Sequence, residues 1–521
     1  MRDTAGIWNG EAMNHVTQTT PRHLVTPEPH VHDAVIVGAG FGGMGAAIAL
    51  RERGRHDVVI LEREDDLGGT WHVNRYPGIA VDIPSSTYSY SFAPNPSWSR
   101  LYAPGAELKA YADHVAALYE LRPRMRFGVS VERAEWDAAD GVWVVTQSDG
   151  ATVRGRLLLT ATGFLSQPKL PDIPGVETFA GKVIHTAAWD AEHDLTGEDV
   201  AVIGTGATAV QLVPEVARVA RHLTVYQRTA IWVTPKLDGP VPRAVQRLFA
   251  AVPLTQRLAR GVGSAVLEAI MVTGVLHYAR FSSFNRAAAA TATRHLHRQV
   301  ADPELRRKLT PDYSFGCKRP TFSNTYFPTF TQPHVDLETT SIARIDEHGI
   351  VTTDGRRRDV DTLVLATGFD LWDANFPAFT IVGRDGKDLG AFWRSERFQA
   401  YEGLSVPGFP NFFSLNSPWS YSGLSYFTTI ESQMKHIDRL LTEVDRRGAT
   451  RFEVTEEANA HFLARVRHQV GSSVFAHGSC GTSRSYYFNQ HGEATLLRPT
   501  STLNAFREAG RFPLSDYTLA S

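Results

Sequence analysis

The apolar run Ala34 to Val37 leads into a glycine-rich turn, GAGFGG, and then into GMGAAIALRERG, whose apolar positions recur at helical spacing. VVILERE follows as a second short apolar strand, so this stretch predicts a strand–helix–strand unit. The same pattern returns in DVAVIGTGATAVQLVPEVARVA followed by HLTVYQRT, which predicts a second unit of the same kind. Strand-like runs ending in ATGF occur twice, at Phe164 and Phe369, as though the chain leaves the first unit and later re-enters it. Proline-rich QPKLPDIPG from Gln167 and a joint near Leu371 would carry the two crossings. The expected fold class is therefore α/β, with two Rossmann-like dinucleotide-binding domains, the second inserted in the first, and a helical insertion. The expected boundaries are a tail over 1–32, a first domain over 33–170 and 361–521, and a second over 171–239 and 310–360. Residues 240–309, rich in Ala, Leu and Arg, form the insertion. Within it, Gly261 to Ala279 is nearly long enough to span a bilayer, but Glu268 and His277 interrupt it. A buried or surface-lying helix is expected, and the flanking Arg243, Arg247, Arg257 and Arg260 leave peripheral membrane contact open.

Composition narrows the class. A chain of 521 residues with 43% hydrophobic content is built like a globular enzyme, and a net charge of −2 offers no basic excess for nucleic acid. A small-molecule substrate is expected. Cys317 and Cys480 are the only cysteines; they cannot form a disulfide framework or a multi-cysteine metal site, and they suit a reducing cytoplasm. No metal is expected, and no redox-active cysteine pair follows the first glycine-rich turn. The first thirty residues carry no apolar signal core, so secretion is not expected; Met1 or Met13 could be the start.

The chemistry lies in the two turns. Gly38, Gly40 and Gly43 follow a strand and open a helix, the context in which glycines let backbone approach a pyrophosphate. Glu62 ends the next strand, where a carboxylate would bond a ribose hydroxyl. In LGGTWHVNRYPGIAVD, Gly68 and Gly69 permit close approach while Trp71 and Tyr76 supply flat apolar surface, which suits an isoalloxazine ring and hence FAD. The blander reading is a glycine-rich turn with core aromatics. Gly204, Gly206 and Ala209 repeat the fingerprint, and the next strand ends in Arg228 and Thr229 instead of an acid. A guanidinium there can bind an adenosine 2′-phosphate, favouring NADPH over NADH, against the alternative of a solvated surface charge.

Taken together these residues resemble the Baeyer–Villiger monooxygenases, a branch of the class B flavoprotein monooxygenases. The family pattern Phe-x-Gly-x-x-x-His-x-x-x-Trp followed by Pro or Asp is matched by Phe179, Gly181, His185, Trp189 and Asp190 in FAGKVIHTAAWD. GGTWHVNRYPG, the ATGF pair and FGCKRP extend the match from about Asp33 past Gln433. The resemblance implies a catalytic pair, Arg319 held by Asp82, with Lys318 contacting the NADP 2′-phosphate. It also implies cofactor contacts at Phe41, Gly69, Thr70, Trp71, Tyr88, Val131, Thr205, Gly206, Ala207, Thr208, Gln211 and Thr229. IAVD stands where many relatives carry Ala-Arg-Cys-Asp, which puts the local pocket lining in doubt. His185 reads as structural, part of a linker in which a hydrogen-bonded His–Trp joint would govern domain movement.

The implied reaction inserts one atom of O2 beside a ketone or aldehyde carbonyl, through a flavin peroxide, to give an ester or lactone; sulfides are further candidate substrates. Aromatic-rich GLSVPGFPNFF through NSPWSYSGLSYFTTIESQ would cover the flavin, and TSRSYYFNQHGEATLLRPTSTL resembles tails found with lipophilic substrates. Two rival readings share the cofactor residues: an N- or S-oxygenating flavin monooxygenase, which Trp189 and Arg319 disfavour, and an FAD/NADPH electron-transfer reductase.

Overall fold

Fully buried four-residue strands need apolar side chains on both faces, and the sequence supplies them at Val58–Leu61, Thr362–Leu365 and within Asp199–Ile203. The computed structural model describes residues 30–421 and 425–521. Residues 1–29 of the expected tail, with its two candidate start methionines, and Ser422, Gly423 and Leu424 of the aromatic segment, lie outside the described residues.

Two Rossmann-like sheets organise the chain. In the first, Val31–Val37 lies between Val58–Leu61 and Thr152–Thr160, parallel to both. Val142–Gln147, Val131–Asp137 and Thr380–Val382 extend it on one side, and Met125–Arg126 closes the other. Phe412–Ser414 pairs with the second half of Thr152–Thr160, so the sheet includes chain from both sides of the insertion. The second sheet is all parallel, in the order Val335–Glu338, His222–Tyr226, Asp199–Ile203, Thr362–Leu365, Lys182–His185. Helices Arg243–Ala251, Pro253–Met271, Tyr278–Gln299 and Pro303–Leu309 fill the expected insertion.

Several expectations shift. The first strand starts at Val31, inside the stretch assigned to the tail. Thr362–Leu365 belongs to the second sheet, so the return crossing follows Leu365 and does not precede residue 361. An apolar run alone does not say which of two similar sheets it joins. The stretch from Gly261 is surface-lying over its first part, where Val262 and Val266 are exposed, and buried near its end, at Gly274, Val275 and Leu276.

The two crossings meet. Lys169 N donates to Gly368 O at 2.9 Å and Asp370 N to Gln167 O at 2.8 Å, making a short antiparallel ribbon between the departing and returning chain. FAGKVIHTAAWD is anchored beside it as a sheet edge, with His185 in register with Leu365.

The two cysteines, whose small number suits a reducing cytoplasm, are joined as the disulfide Cys317–Cys480 across 163 residues. Proximity at that separation is a tertiary fact, and it removes the compositional argument for a reducing compartment. A cross-link closing so long a loop stabilises by about 5 kcal/mol in the chain-entropy account. Thiol titration of the unreduced protein under denaturing conditions should find no free thiol, and dithiothreitol should lower the thermal midpoint. Two titrating thiols would show the bond to be unformed.

Candidate active site

Each glycine-rich turn is built against an ATGF segment. Gly38 has φ +109°, and a Cβ there would lie 2.5 Å from Ala161 O; Gly204 has φ +119°, with Ala366 O at 2.4 Å. Only glycine fits both the conformation and the space. This pairing explains why ATGF occurs twice: its alanine is the wall behind the first glycine of each turn. A Cβ at Gly43 would sit 1.9 Å from Gly38 O, whereas the equivalent Ala209 is tolerated and fully buried. Helices Phe41–Glu52 and Ala207–Val216 start directly after Gly40 and Gly206 with no side-chain cap, leaving their first N–H groups to face an anion.

Both turns line one cleft of about 1540 Å³. The expected residues Gly38, Gly40, Phe41, Glu62, Gly69, Thr70, Trp71, Asp82, Tyr88 and Val131 line it from the first domain. Thr205, Gly206, Ala207, Thr208, Gln211, Arg228, Thr229, Lys318 and Arg319 line the opposite side. Glu62 is buried and already accepts from Ala39 N at 2.7 Å and Glu64 N at 3.1 Å, so it braces the turn as well as facing the cleft. Trp71 Nε1 donates to Tyr88 OH at 3.2 Å, holding the two rings edge to face. Burial pushes the Tyr88 hydroxyl far above the ordinary tyrosine range, keeping it neutral.

Gln211 clips the domains together. Its Oε1 accepts from Tyr76 OH at 3.0 Å and its Nε2 donates to Ala80 O at 2.9 Å. Because Ala80 is engaged through its backbone, the departure at IAVD leaves this clip intact. Two residues on, Asp82 receives Arg319 bidentately, from Nε at 2.6 Å and Nη2 at 3.0 Å. Arg319 Nη1 donates to Tyr421 OH at 3.0 Å. Burial would lower the guanidinium's pKa, but Asp82, together with Tyr421, Tyr487 and Tyr486, outweighs it and holds Arg319 well above its usual value. It is a permanent cation pinned on one edge.

A second cationic group surrounds the preceding residue of the same loop, Lys318. Lys318 is pushed down to about 8 by burial and by repulsion from Arg228 and Arg484, with Asp312 opposing. Burial and Arg484 also lower Arg228. Lys318, Arg228 and Arg484 thus bring three cationic side chains to the lining of one cleft. Thr205 Oγ1 donates to Thr229 O at 2.7 Å, fixing the strand end that carries Arg228.

Phe179, Gly181, His185, Trp189 and Asp190 sit behind the cleft. A Cβ at Gly181 would lie 2.3 Å from Asp361 O and 2.6 Å from the Phe179 ring, so these two residues form one packed corner. Lys182 pairs with Asp190 at 2.6 Å, and Trp189 packs on the second domain's core. The expected His–Trp hydrogen bond is replaced by another. His185 Nδ1 accepts from Ala187 N at 3.1 Å, which leaves Nε2 to donate to Thr367 Oγ1 at 3.3 Å, and Thr367 in turn donates to Lys169 O. His185 thus braces the ribbon between the crossings; burial lowers its pKa despite nearby carbonyls of Lys169 and Gly368.

Sequence reasoning missed Tyr421, Tyr486, Tyr487 and Arg484. The last three lie in TSRSYYF, where an arginine beside two tyrosines was the available signal, and the disulfide fastens this segment to FGCKRP.

Comparison with known proteins gives a family. Residues 35–253 match the family described as pyridine nucleotide-disulphide oxidoreductase; both cysteines lie beyond that match. A Baeyer–Villiger monooxygenase of Streptomyces coelicolor is 38% identical over 94% of this chain and 92% of its own length. The structure of a steroid monooxygenase bound to NADP superposes with a TM-score of 0.84 at 30% identity, covering 94% of this chain and 100% of that one. OTEMO in complex with FAD and NADP gives 0.81 at 27% identity over 94% and 99%. With matches of this extent to both sequence and structure, the chain belongs to the Baeyer–Villiger monooxygenases.

Proposed function

We propose that this chain uses FAD and NADPH to insert one oxygen atom of O2 beside a ketone or aldehyde carbonyl, giving an ester or lactone. The observation that carries this reading is Arg319, held bidentately by Asp82 inside a cleft whose two ends each present an uncapped helix N-terminus behind a glycine turn. FAD, reduced by NADPH when both are bound, supplies the electrons that activate O2.

The residues divide the work. Gly38, Gly40 and the start of the helix Phe41–Glu52 take the FAD pyrophosphate, with Trp71, Tyr88 and Val131 on the ring side. Gly206 and the helix Ala207–Val216 take the second pyrophosphate, and Arg228, Lys318 and Arg484 take the 2′-phosphate. Arg319 is the catalytic residue: the edge left free by Asp82, where Nη1 also donates to Tyr421 OH, stabilises negative charge on oxygen, both before attack and as the substrate carbonyl oxygen becomes an oxyanion. Asp82 is a positioning residue that fixes which edge stays free. The tyrosines around Arg319 and the closing C-terminal segment exclude water.

Arg319→Ala should lower ester formation by about 100- to 1000-fold, the usual effect of removing an oxyanion donor, while reduction of FAD by NADPH stays within a few-fold. Arg319→Lys keeps charge without the fork and should fall between. Product analysis on a cyclic ketone and a thioether checks both; sulfoxide without lactone from the unaltered protein would overturn the proposal.

Lys318 sets a pH dependence. It is cationic below about pH 8 and loses its proton as pH rises through that value, so affinity for the 2′-phosphate is fully present below and declines above. KM for NADPH should rise above pH 8 with kcat little changed, and KM for NADH should stay flat. Lys318→Met should abolish that rise and reduce the preference for NADPH over NADH by about 10- to 100-fold, as loss of a charge-assisted bond implies. Steady-state kinetics with both nucleotides from pH 6.5 to 9.5 reads this out.

A further inference from the structure

The helix Pro253–Met271 is amphipathic with its faces reversed. Gln256 Nε2 donates to Asn95 O at 2.6 Å, Arg260 Nη1 to Ser89 O at 2.7 Å, and Glu268 accepts from Thr502 N at 2.7 Å. These polar side chains face the protein. Leu254, Leu258, Val262, Val266 and Ile270, every fourth residue, point outward, with Leu258 61% and Val262 66% exposed. A helix lying on a water-facing surface turns its apolar stripe inward, so the outer face of this one is adapted to an apolar medium. With the turn that follows it, the stretch Pro253–Leu276 is 24 residues long and apolar enough to cross a bilayer. Its three inward polar anchors hold it flat against the protein instead.

Charge selects the occupant. Between residues 240 and 301 the chain has eight arginines, no lysine and no aspartate, and its single glutamate, Glu268, is the inward anchor. Arg243, Arg247, Arg257 and Arg280 are exposed alongside the apolar row. Two copies of such a face would repel each other, whereas an anionic lipid surface complements it. We propose that this face docks on a membrane bearing anionic lipids, the outer residues entering the acyl boundary and the arginines meeting headgroups. The docked helix touches the cleft wall: Gly263 faces Thr87, whose neighbour Tyr88 lines the cleft, and Leu267 packs on the core that Trp71 and Tyr88 also touch. Lipophilic substrate would then enter from the bilayer.

The test is flotation of the purified FAD-loaded protein with phosphatidylcholine vesicles, with and without phosphatidylglycerol. The wild type should float with the anionic vesicles, and less so in high salt. Leu258→Glu with Val262→Glu should reduce binding by at least about 100-fold, because a charge at the acyl boundary is strongly disfavoured. Arg243→Glu with Arg247→Glu should reduce binding to anionic vesicles alone. FAD content and thermal midpoint of both variants should match the wild type, showing that the surface and not the fold has changed. No flotation with either vesicle overturns the proposal, as does a stable dimer that the Leu258→Glu, Val262→Glu variant dissociates.

Discussion

Asp82 and Arg319 are separated by 237 positions, and the bond between them fixes the cleft. Asp82 ends a segment already tied to the second domain through Gln211, and Arg319 follows the insertion that the second domain carries. Removing a carboxylate and a guanidinium from water is costly, and a single contact would barely offset it. Two parallel hydrogen bonds at 2.6 and 3.0 Å do, and they also restrict orientation. A lysine could supply charge here but not direction. The remaining edge of Arg319 faces Tyr421, so the cation is held at Asp82 and directed by it.

That constraint explains why supporting structure gathers around FGCKRP. Cys317 is bonded to Cys480, and four residues beyond Cys480 stands Arg484, which depresses Lys318. One short loop therefore presents two cations with opposite tuning. Arg319 has a carboxylate and stays charged; Lys318 is half-buried with cations for neighbours and holds its proton more loosely. The difference matches the roles proposed for them: a constant charge at Arg319 and a phosphate contact at Lys318.

Much of this was legible in the sequence because it is local. Gly38 with Glu62, and Gly204 with Arg228, lie within single strand–helix–strand units, where spacing fixes geometry. FGCKRP and IAVD were legible only through family resemblance, since nothing in either string says that they meet. What could not be read is what tertiary packing decides. Thr362–Leu365 is apolar enough for either sheet; Cys317 and Cys480 are 163 residues apart; His185 takes Thr367 and not the nearer Trp189, because the sheet edge turns its ring toward the crossing ribbon. Arg484 and the paired tyrosines were visible as residues but had no partner in sequence to give them a role.

The crossing ribbon bears on how two nucleotides can be used in one cleft. Lys169–Gly368 and Gln167–Asp370 are the backbone bonds between the departing and returning chain, and His185 is anchored to both through Thr367. Few bonds at the joint permit the second domain to turn relative to the first, while the Gln211 clip and the Asp82–Arg319 pair restrain it from the cleft side. Those restraints grip the same short segment, Tyr76 to Asp82. Any rotation of the second domain that moves Gln211 therefore pulls on the backbone carrying Asp82, and so on the direction in which Arg319 presents its free edge. The position of the second domain and the orientation of Arg319 are thus linked through seven residues of chain, Tyr76 to Asp82.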